Sequence, residues 1–147
     1  MKLTIERAPL LRALGHVQSV VERRTTIPIL ANMLLNAGDG TLALTATDMD
    51  LAIDEKVAAD IGQSGGITAP AHTLFDIVRK LPEGAEISFE TSGEGRVDIH
   101  AGRSRFSLSS LPGEEFPSIS GGDMPHRFEL AASELRRLID RTRFAIS

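Results

Sequence analysis

The chain opens on an alternation: Leu3 and Ile5 are apolar, and Lys2, Thr4 and Glu6 around them are polar. A period of two sends successive side chains to opposite faces, which predicts a strand buried on one side. Pro9 follows, a residue suited to the first turn of a helix. Leu10, Leu14, Val17 and Val21 then recur at helical spacing over residues 8–21, with Leu11 beside them. Glu22-Arg23-Arg24-Thr25-Thr26-Ile27-Pro28 has no such period and predicts a loop. Residues 29–36, 41–47 and 51–58 predict three strands, the first two joined by the turn Gly38-Asp39-Gly40, and Gly62-Gln63-Ser64-Gly65-Gly66 predicts another turn.

The pattern then starts again. Ile67 and Ala69 form a short strand, and Pro70 precedes a helix over roughly 71–81 with the apolar stripe Leu74, Ile77, Val78 and Leu81. Pro82-Glu83-Gly84 ends it, and strands follow at about 85–91, 95–100 and 103–109. The unit β-α-β-β-β thus occurs twice. This is an α+β arrangement of mainly antiparallel strands with helices over one face. A Pro-, Gly- and Glu-containing stretch from Leu111 to Pro125 has the composition of an inter-domain linker.

The last segment repeats the first. Shifted by 125 residues, Leu3 falls on Phe128, Ile5 on Leu130, Leu10 on Leu135, Arg12 on Arg137 and Leu14 on Ile139. Arg127-Phe128-Glu129-Leu130 takes the place of the strand and 131–146 that of the helix. The expectation is a tandem repeat of which residues 1–125 are the first domain and 126–147 the first strand and helix of a truncated second.

Composition narrows the classes. Apolar residues make up 41% of the 147, enough for a core, and cysteine is absent, which removes disulfides, thiolate ligands and a cysteine nucleophile. No apolar run is long enough to span a bilayer, and the N-terminus lacks a signal peptide's apolar block, so a soluble cytoplasmic protein is expected. With no Trp or Tyr, stacking of bases on those rings is excluded.

The net charge of −4 conceals a division. Residues 7–24 carry +3, 70–80 carry +1 and 131–147 carry +2, leaving −10 for everything else. Arg12, His16, Ser19 and Arg23 recur at i, i+4, i+7 and i+11, a stripe well away from the apolar one. His72, Asp76 and Arg79 lie off the apolar stripe of the second helix, and Arg137, Asp140 and Arg141 off that of the third. If all three helices cover one sheet face, their outer sides form a positive surface that attracts phosphates without reading bases. The plainer reading is a solvated, charged helix surface.

Catalytic and metal motifs are missing. His16, His72, His100 and His126 are dispersed, without an H-E-x-x-H pair. Asp48, Asp50 and Asp54 resemble the start of a calcium loop, but position 52 is Ala and the required Gly is absent; on a strand they would share one solvated face. There is no phosphate loop and no G-x-S-x-G elbow. Gly93-Glu94-Gly95 suits a hairpin turn, and Glu114-Glu115 lies in the linker, where nothing fixes its geometry. No enzyme, cofactor or metal is expected.

Arg24-Thr25-Thr26-Ile27-Pro28-Ile29-Leu30, Asp39-Gly40-Thr41-Leu42 and Thr45-Ala46-Thr47-Asp48 resemble the bacterial DNA polymerase III beta subunit family, the replicative sliding clamps. Leu81-Pro82-Glu83-Gly84-Ala85, Gly102-Arg103-Ser104-Arg105-Phe106-Ser107-Leu108 and Leu111-Pro112 before Glu115-Phe116-Pro117 extend the likeness over the whole chain. The resemblance implies three similar domains per subunit, each a pseudo-repeated β-α-β-β-β pair, and two subunits joined head to tail into a ring with helices inside and sheets outside. Such a ring tethers polymerase to duplex DNA through weak, sequence-independent phosphate contacts.

Residue by residue, the resemblance implies DNA contact at Arg24, and channel-facing positions for Arg12, Arg79 and Arg137, with Lys80 and Arg141 beside them. His72 stands where related clamps often carry a stronger base. Arg96, Arg103, Arg105, Phe106 and Leu108 resemble the first-domain half of the subunit interface, backed by Ile77 and Leu81. The pocket for polymerase and loader peptides lies between the family's second and third domains and is expected to be absent from a chain this short. Leu135, Leu138, Ile139 and Ile146 then have no intrachain cover, and are expected to bury against another molecule or be poorly ordered. The competing readings are an adaptor domain that binds a protein through its acidic sheet surface, and a hydrolase whose site carries no known motif.

Overall fold

In a computed structural model the described residues are 1–23, 25–93, 95–117, 126 and 128–146. They form β1 (Lys2–Glu6), α1 (Arg7–Val17), β2 (Asn32–Gly38), β3 (Thr41–Thr47), β4 (Ala52–Ala58), β5 (Asp60–Gln63), β6 (Gly65–Pro70), α2 (Ala71–Lys80), β7 (Glu86–Ser92), β8 (Arg96–Ala101), β9 (Ser104–Ser109) and α3 (Ala132–Thr142). The repeated β-α-β-β-β unit is there, and its two copies exchange their first strands. β1 pairs with β7 in the sheet β5-β1-β7-β8-β9, and β6 pairs with β2 in the sheet β4-β3-β2-β6, all antiparallel.

One core fills the space between the sheets and the first two helices. Leu3, Ile5, Ile87, Phe89, Val97 and Ile99 from the larger sheet meet Met33, Leu35, Leu42 and Leu44 from the smaller, with Leu10, Leu14, Val17, Leu74 and Val78 from the helices. The alternation in the strands and the 3.6-residue stripe in the helices each select the side chains that point there. The helices touch closely: a Cβ on Gly15 of α1 would stand 3.8 Å from the Phe75 ring of α2.

Several boundaries differ from the sequence reading. α1 stops at Val17, but the apolar period runs on to Val21 because the chain stays wound through i→i+3 bonds. Those are Ser19 N–H to His16 at 3.2 Å, Val20 N–H to Val17 at 3.4 Å and Val21 N–H to Gln18 at 3.3 Å. Residues 28–31 are a 3₁₀ turn, not the start of a strand. The predicted Gly-rich turn at 62–66 is where β5 passes into β6. β5 has no apolar alternation to announce it, and it is held by backbone pairing to β1. Asp48 and Asp50 lie in the β3–β4 turn instead of sharing a strand face with Asp54. The Asp48 carboxylate accepts from the Leu51 and Asp50 amides, mainly that of Leu51, which lowers its pKa.

The predicted linker is structured where it begins. Thr68 Oγ1 donates to the Leu111 carbonyl at 2.9 Å and accepts from Asn32 Nδ2 at 2.9 Å. Pro112 bridges to Ile67, and Phe116 is buried. Residues 118–125, Arg127 and Glu94 lie outside the described residues. Residues 128–130 form no strand, contrary to expectation, and Phe128 is 84% exposed. Without pairing partners an isolated alternating segment has no ladder to join. α3 is a regular helix without one buried residue. Leu135, Leu138, Ile139 and Ile146 are exposed, as expected of a face without intrachain cover.

Candidate nucleic-acid and subunit interfaces

The exposed side of α1 carries Arg12 and His16, with Ser19 and Arg23 exposed beyond its end. His16 is not a bare cationic position, since its Nδ1 lies 2.7 Å from Glu55 Oε1 on β4. Ser19 Oγ turns back to donate to the His16 carbonyl at 2.6 Å. Arg12 and Arg23 make no ion pair among the described residues. Arg24 lies outside them.

On α2, Arg79 is engaged twice. Its Nη2 is 2.9 Å from Asp76 Oδ1, and its guanidinium carbon is 5.6 Å from the centroid of the Phe75 ring. Lys80 is exposed and lines a cleft with Phe106. On α3, Arg137 pairs with Glu134 and Arg136 with Asp140, which also pairs with Arg143 just past the helix, and Arg141 is exposed. Exposed pairs of this kind hold a side chain by about 0–1 kcal/mol, so a phosphate can displace them. His72 is half-buried, with both ring nitrogens engaged inside the molecule.

The interface candidates separate onto two faces. β9 is the last strand of the larger sheet and pairs on one side only, with β8. Its residues opposite the core positions Val97 and Ile99 are Leu108 and Phe106, both half-buried at the rim. With Ile77, Lys80, Leu81 and Pro82, Phe106 lines an apolar-floored cleft of about 380 Å³ between α2 and β9. Leu81 itself is buried. Arg96 and Arg105 lie on the opposite, solvent face of the sheet, and Arg103 sits in the β8–β9 turn. On that solvent face the Ser107 hydroxyl, then that of Ser92, donates to Asp98 and holds its carboxyl below the usual range.

A wide groove of about 630 Å³ has the polar lining Thr4, Glu6, Asp60 and Glu86, without a histidine, serine or lysine beside the carboxylates. Among the described residues no cluster of His, Asp and Glu is placed to hold a metal ion, and no helix is long and apolar enough to cross a membrane.

Two strand-exchanged β-α-β-β-β units with a common helix layer and an arginine-bearing outer helix face define a clamp-type α+β domain. Residues 1–120 match the N-terminal domain of the DNA polymerase III beta subunit, and the chain belongs to that family. The beta sliding clamp of Caulobacter vibrioides (strain NA1000 / CB15N) is 58% identical over 148 residues, 100% of this chain and 40% of that protein. The beta sliding clamp of Escherichia coli (strain K12) is 43% identical over the same span, again 40% of its length. Among solved structures, the C. crescentus beta sliding clamp superposes with a TM-score of 0.96 at 58% identity, over 100% of this chain and 39% of that one. The sliding clamp of Pseudomonas aeruginosa bound to griselimycin does so at 0.94 and 43%, over 100% of this chain and 40% of that one. The chain therefore spans about 40% of the length of the curated relatives it matches.

Sequence reasoning missed three contacts that shape this surface: Arg7 on the end of α2, His72 on the end of α1, and the His16–Glu55 pair. Each joins residues far apart in the chain, and only the first could have been suspected, from an arginine at the start of a helix where the dipole disfavours it.

Proposed function

We propose that this chain is the N-terminal part of a sliding-clamp subunit, a non-catalytic protein that closes into a ring around duplex DNA and keeps a replicative polymerase on its template. The observation that carries the reading is the charge division placed on this fold. Helices with their adjoining loops hold +6 of a chain whose total is −4, with Arg12 exposed on α1 and Arg23 exposed beyond its end. Residues 1–125 are the first clamp domain and 126–147 the opening of the second. Arg24, Arg12, Arg79, Lys80, Arg137 and Arg141 supply phosphate contacts. Phe106 and Leu108, backed by Ile77 and Leu81, enter an apolar contact with a second subunit, and Arg96, Arg103 and Arg105 pair with that subunit's acids. A soluble protein acting in the cytoplasm fits this work.

Ring closure, not tight binding, would hold such a protein on DNA, so the contacts must be weak and blind to sequence. The test uses the full-length subunit on nicked circular duplex DNA. Retention is expected on the circle and loss on linearisation. Equilibrium affinity for short duplexes should be low and fall steeply with salt, and Arg24→Ala should lower it further without changing base preference. Phe106→Glu should convert dimer to monomer in sedimentation. Equal retention on circular and linear DNA would overturn the reading.

A further inference from the structure

Two side chains tie the helix pair together, one at each end. Arg7, the first residue of α1, donates from Nε to the Val78 carbonyl at 2.9 Å and from Nη2 to the Arg79 carbonyl at 2.8 Å, in the last turn of α2. His72, the second residue of α2, places Nε2 2.9 Å from the Val21 carbonyl and Nδ1 2.8 Å from Gln18 Oε1, where the chain leaves α1. The start of α1 therefore caps the last turn of α2, and the start of α2 ties down the wound segment that follows α1. Helix ends leave carbonyls without intrahelical donors, and these two side chains supply them across the helix pair.

The two caps lead into unlike segments. After α2 the chain turns at once through Pro82 and Gly84. After Val21 come Glu22 and Arg23, the exposed basic end of the α1 stripe. The segment between Val17 and Val21 is held by three i→i+3 bonds of 3.2–3.4 Å, looser than α-helical ones. Val20 and Val21 are buried, which anchors the side chains but leaves the direction of the backbone to its hydrogen bonds. A carbonyl only accepts, so Nε2 carries the proton in the bond to Val21, and the Gln18 amide can turn its oxygen or its nitrogen toward Nδ1. The bond to Val21 is thus available to the neutral and the protonated ring alike.

We infer that His72 is a positioning residue: through the Val21 carbonyl it sets the path of the chain out of α1, and with it the placement of the basic segment beyond, without touching nucleic acid itself. The last part of this rests on the clamp reading; the strap does not. Hydrogen exchange on the 147-residue chain tests the strap directly. His72→Leu removes the donor at similar volume and should speed exchange of the Ser19, Val20 and Val21 amides roughly five- to tenfold, the loss expected of one hydrogen bond. His72→Gln, whose Nε2 reaches the same carbonyl, should restore protection to within about twofold. Unchanged exchange in His72→Leu would overturn the strap.

Duplex-DNA affinity of the full-length subunit is the second readout. It should fall a few-fold in His72→Leu and recover in His72→Gln, in step with exchange. Lower affinity with unaltered exchange would assign His72 to direct contact and overturn the inference. If the wild-type subunit bound no DNA, the clamp reading would fail, and exchange alone would decide the strap.

Discussion

The edge strand β4 turns Ile53, Glu55 and Val57 toward the helices, opposite Ala46, Leu44 and Leu42 of β3. The edge strand β9 turns Ser104, Phe106 and Leu108 the same way, opposite Ala101, Ile99 and Val97 of β8. The two edges are equivalent places in the repeated unit, yet Glu55 stands where Phe106 does, and His16 of α1 stands where Lys80 of α2 does. At the first edge His16 Nδ1 and Glu55 Oε1 close over the rim at 2.7 Å. At the second, Ile77, Leu81, Pro82 and Phe106 line an open cleft of about 380 Å³ together with Thr73, Asp76, Lys80 and Ser104. One scaffold thus makes two unlike rims, and the substitution of Glu55 by Phe106 and of His16 by Lys80 at matching positions is the largest part of the difference.

The halves differ in surface but not in autonomy, because each completes its sheet with the other's first strand. Phe89 of β7 is fully buried beside β1, which belongs to the other unit. Phe89→Ala should cost about 3–5 kcal/mol. The loss should appear in urea unfolding as one transition at lower midpoint, followed alike by far-UV circular dichroism and by exchange in β3. Two separate transitions, with β3 surviving the first, would break the comparison by showing that the halves fold alone.

The hairpins that carry the edges also differ. In the β8–β9 turn the residue at positive φ is Gly102, at 57°, with nothing within 4 Å of where its Cβ would be. In the β3–β4 turn it is Met49, at 83°. A side chain at such an angle costs about 1–2 kcal/mol. Gly102→Ala should destabilise by about 1 kcal/mol through that strain alone, less whatever the unfolded chain loses in freedom. Met49→Gly should gain less than about 1 kcal/mol, because the added glycine entropy offsets part of the relief. Thermal unfolding of the two variants reads both signs; like signs would contradict this account.

Much of the architecture was legible because it rests on period. Leu3 and Ile5, Leu10 and Leu14, Leu74 and Val78 announce their elements and their buried faces without any neighbour. The exchange of β1 and β6 was not legible, since alternation fixes which face of a strand is buried but not which strand lies beside it. Nor was β5, whose polar, glycine-containing run is extended only because β1 offers it a ladder. Of the site, the arginine stripe on α1 could be read from spacing. The engagement of Arg79 by Asp76 and Phe75 was also within reach at helical spacing. His16 with Glu55, and His72 with Val21, could not be read, because they join residues 39 and 51 apart in the chain.

A smaller effect tests the polar edge. Glu55→Ala should cost about 0.2–1 kcal/mol, as exposed pairs do. The coupling measured with His16→Ala in a double-mutant cycle should shrink as salt is raised. A coupling as large in high salt as in low would mean that the pair does more than close the rim.

Among the described residues each half owns one aspartate whose carboxyl is held below its ordinary value of 3.8, for different reasons. Asp48 accepts backbone amides inside a single turn, led by that of Leu51. Asp98 accepts hydroxyls from the strands on either side, Ser107 before Ser92. A lowered folded pKa contributes stability that is complete above the unfolded value and is lost as pH falls through the folded one. Asp48→Asn and Asp98→Asn keep an acceptor oxygen and remove the charge, so both variants should melt slightly below wild type at pH 7, with the gap closing from about pH 4 downward. Raised salt should leave the Asp48 gap nearly unchanged, because its partners are neutral amides in fixed geometry. The Asp98 gap has a further part that salt screens, from His100 and Arg96 on the same face. A gap that widened toward low pH in either variant would reverse the sign argued here for that carboxylate.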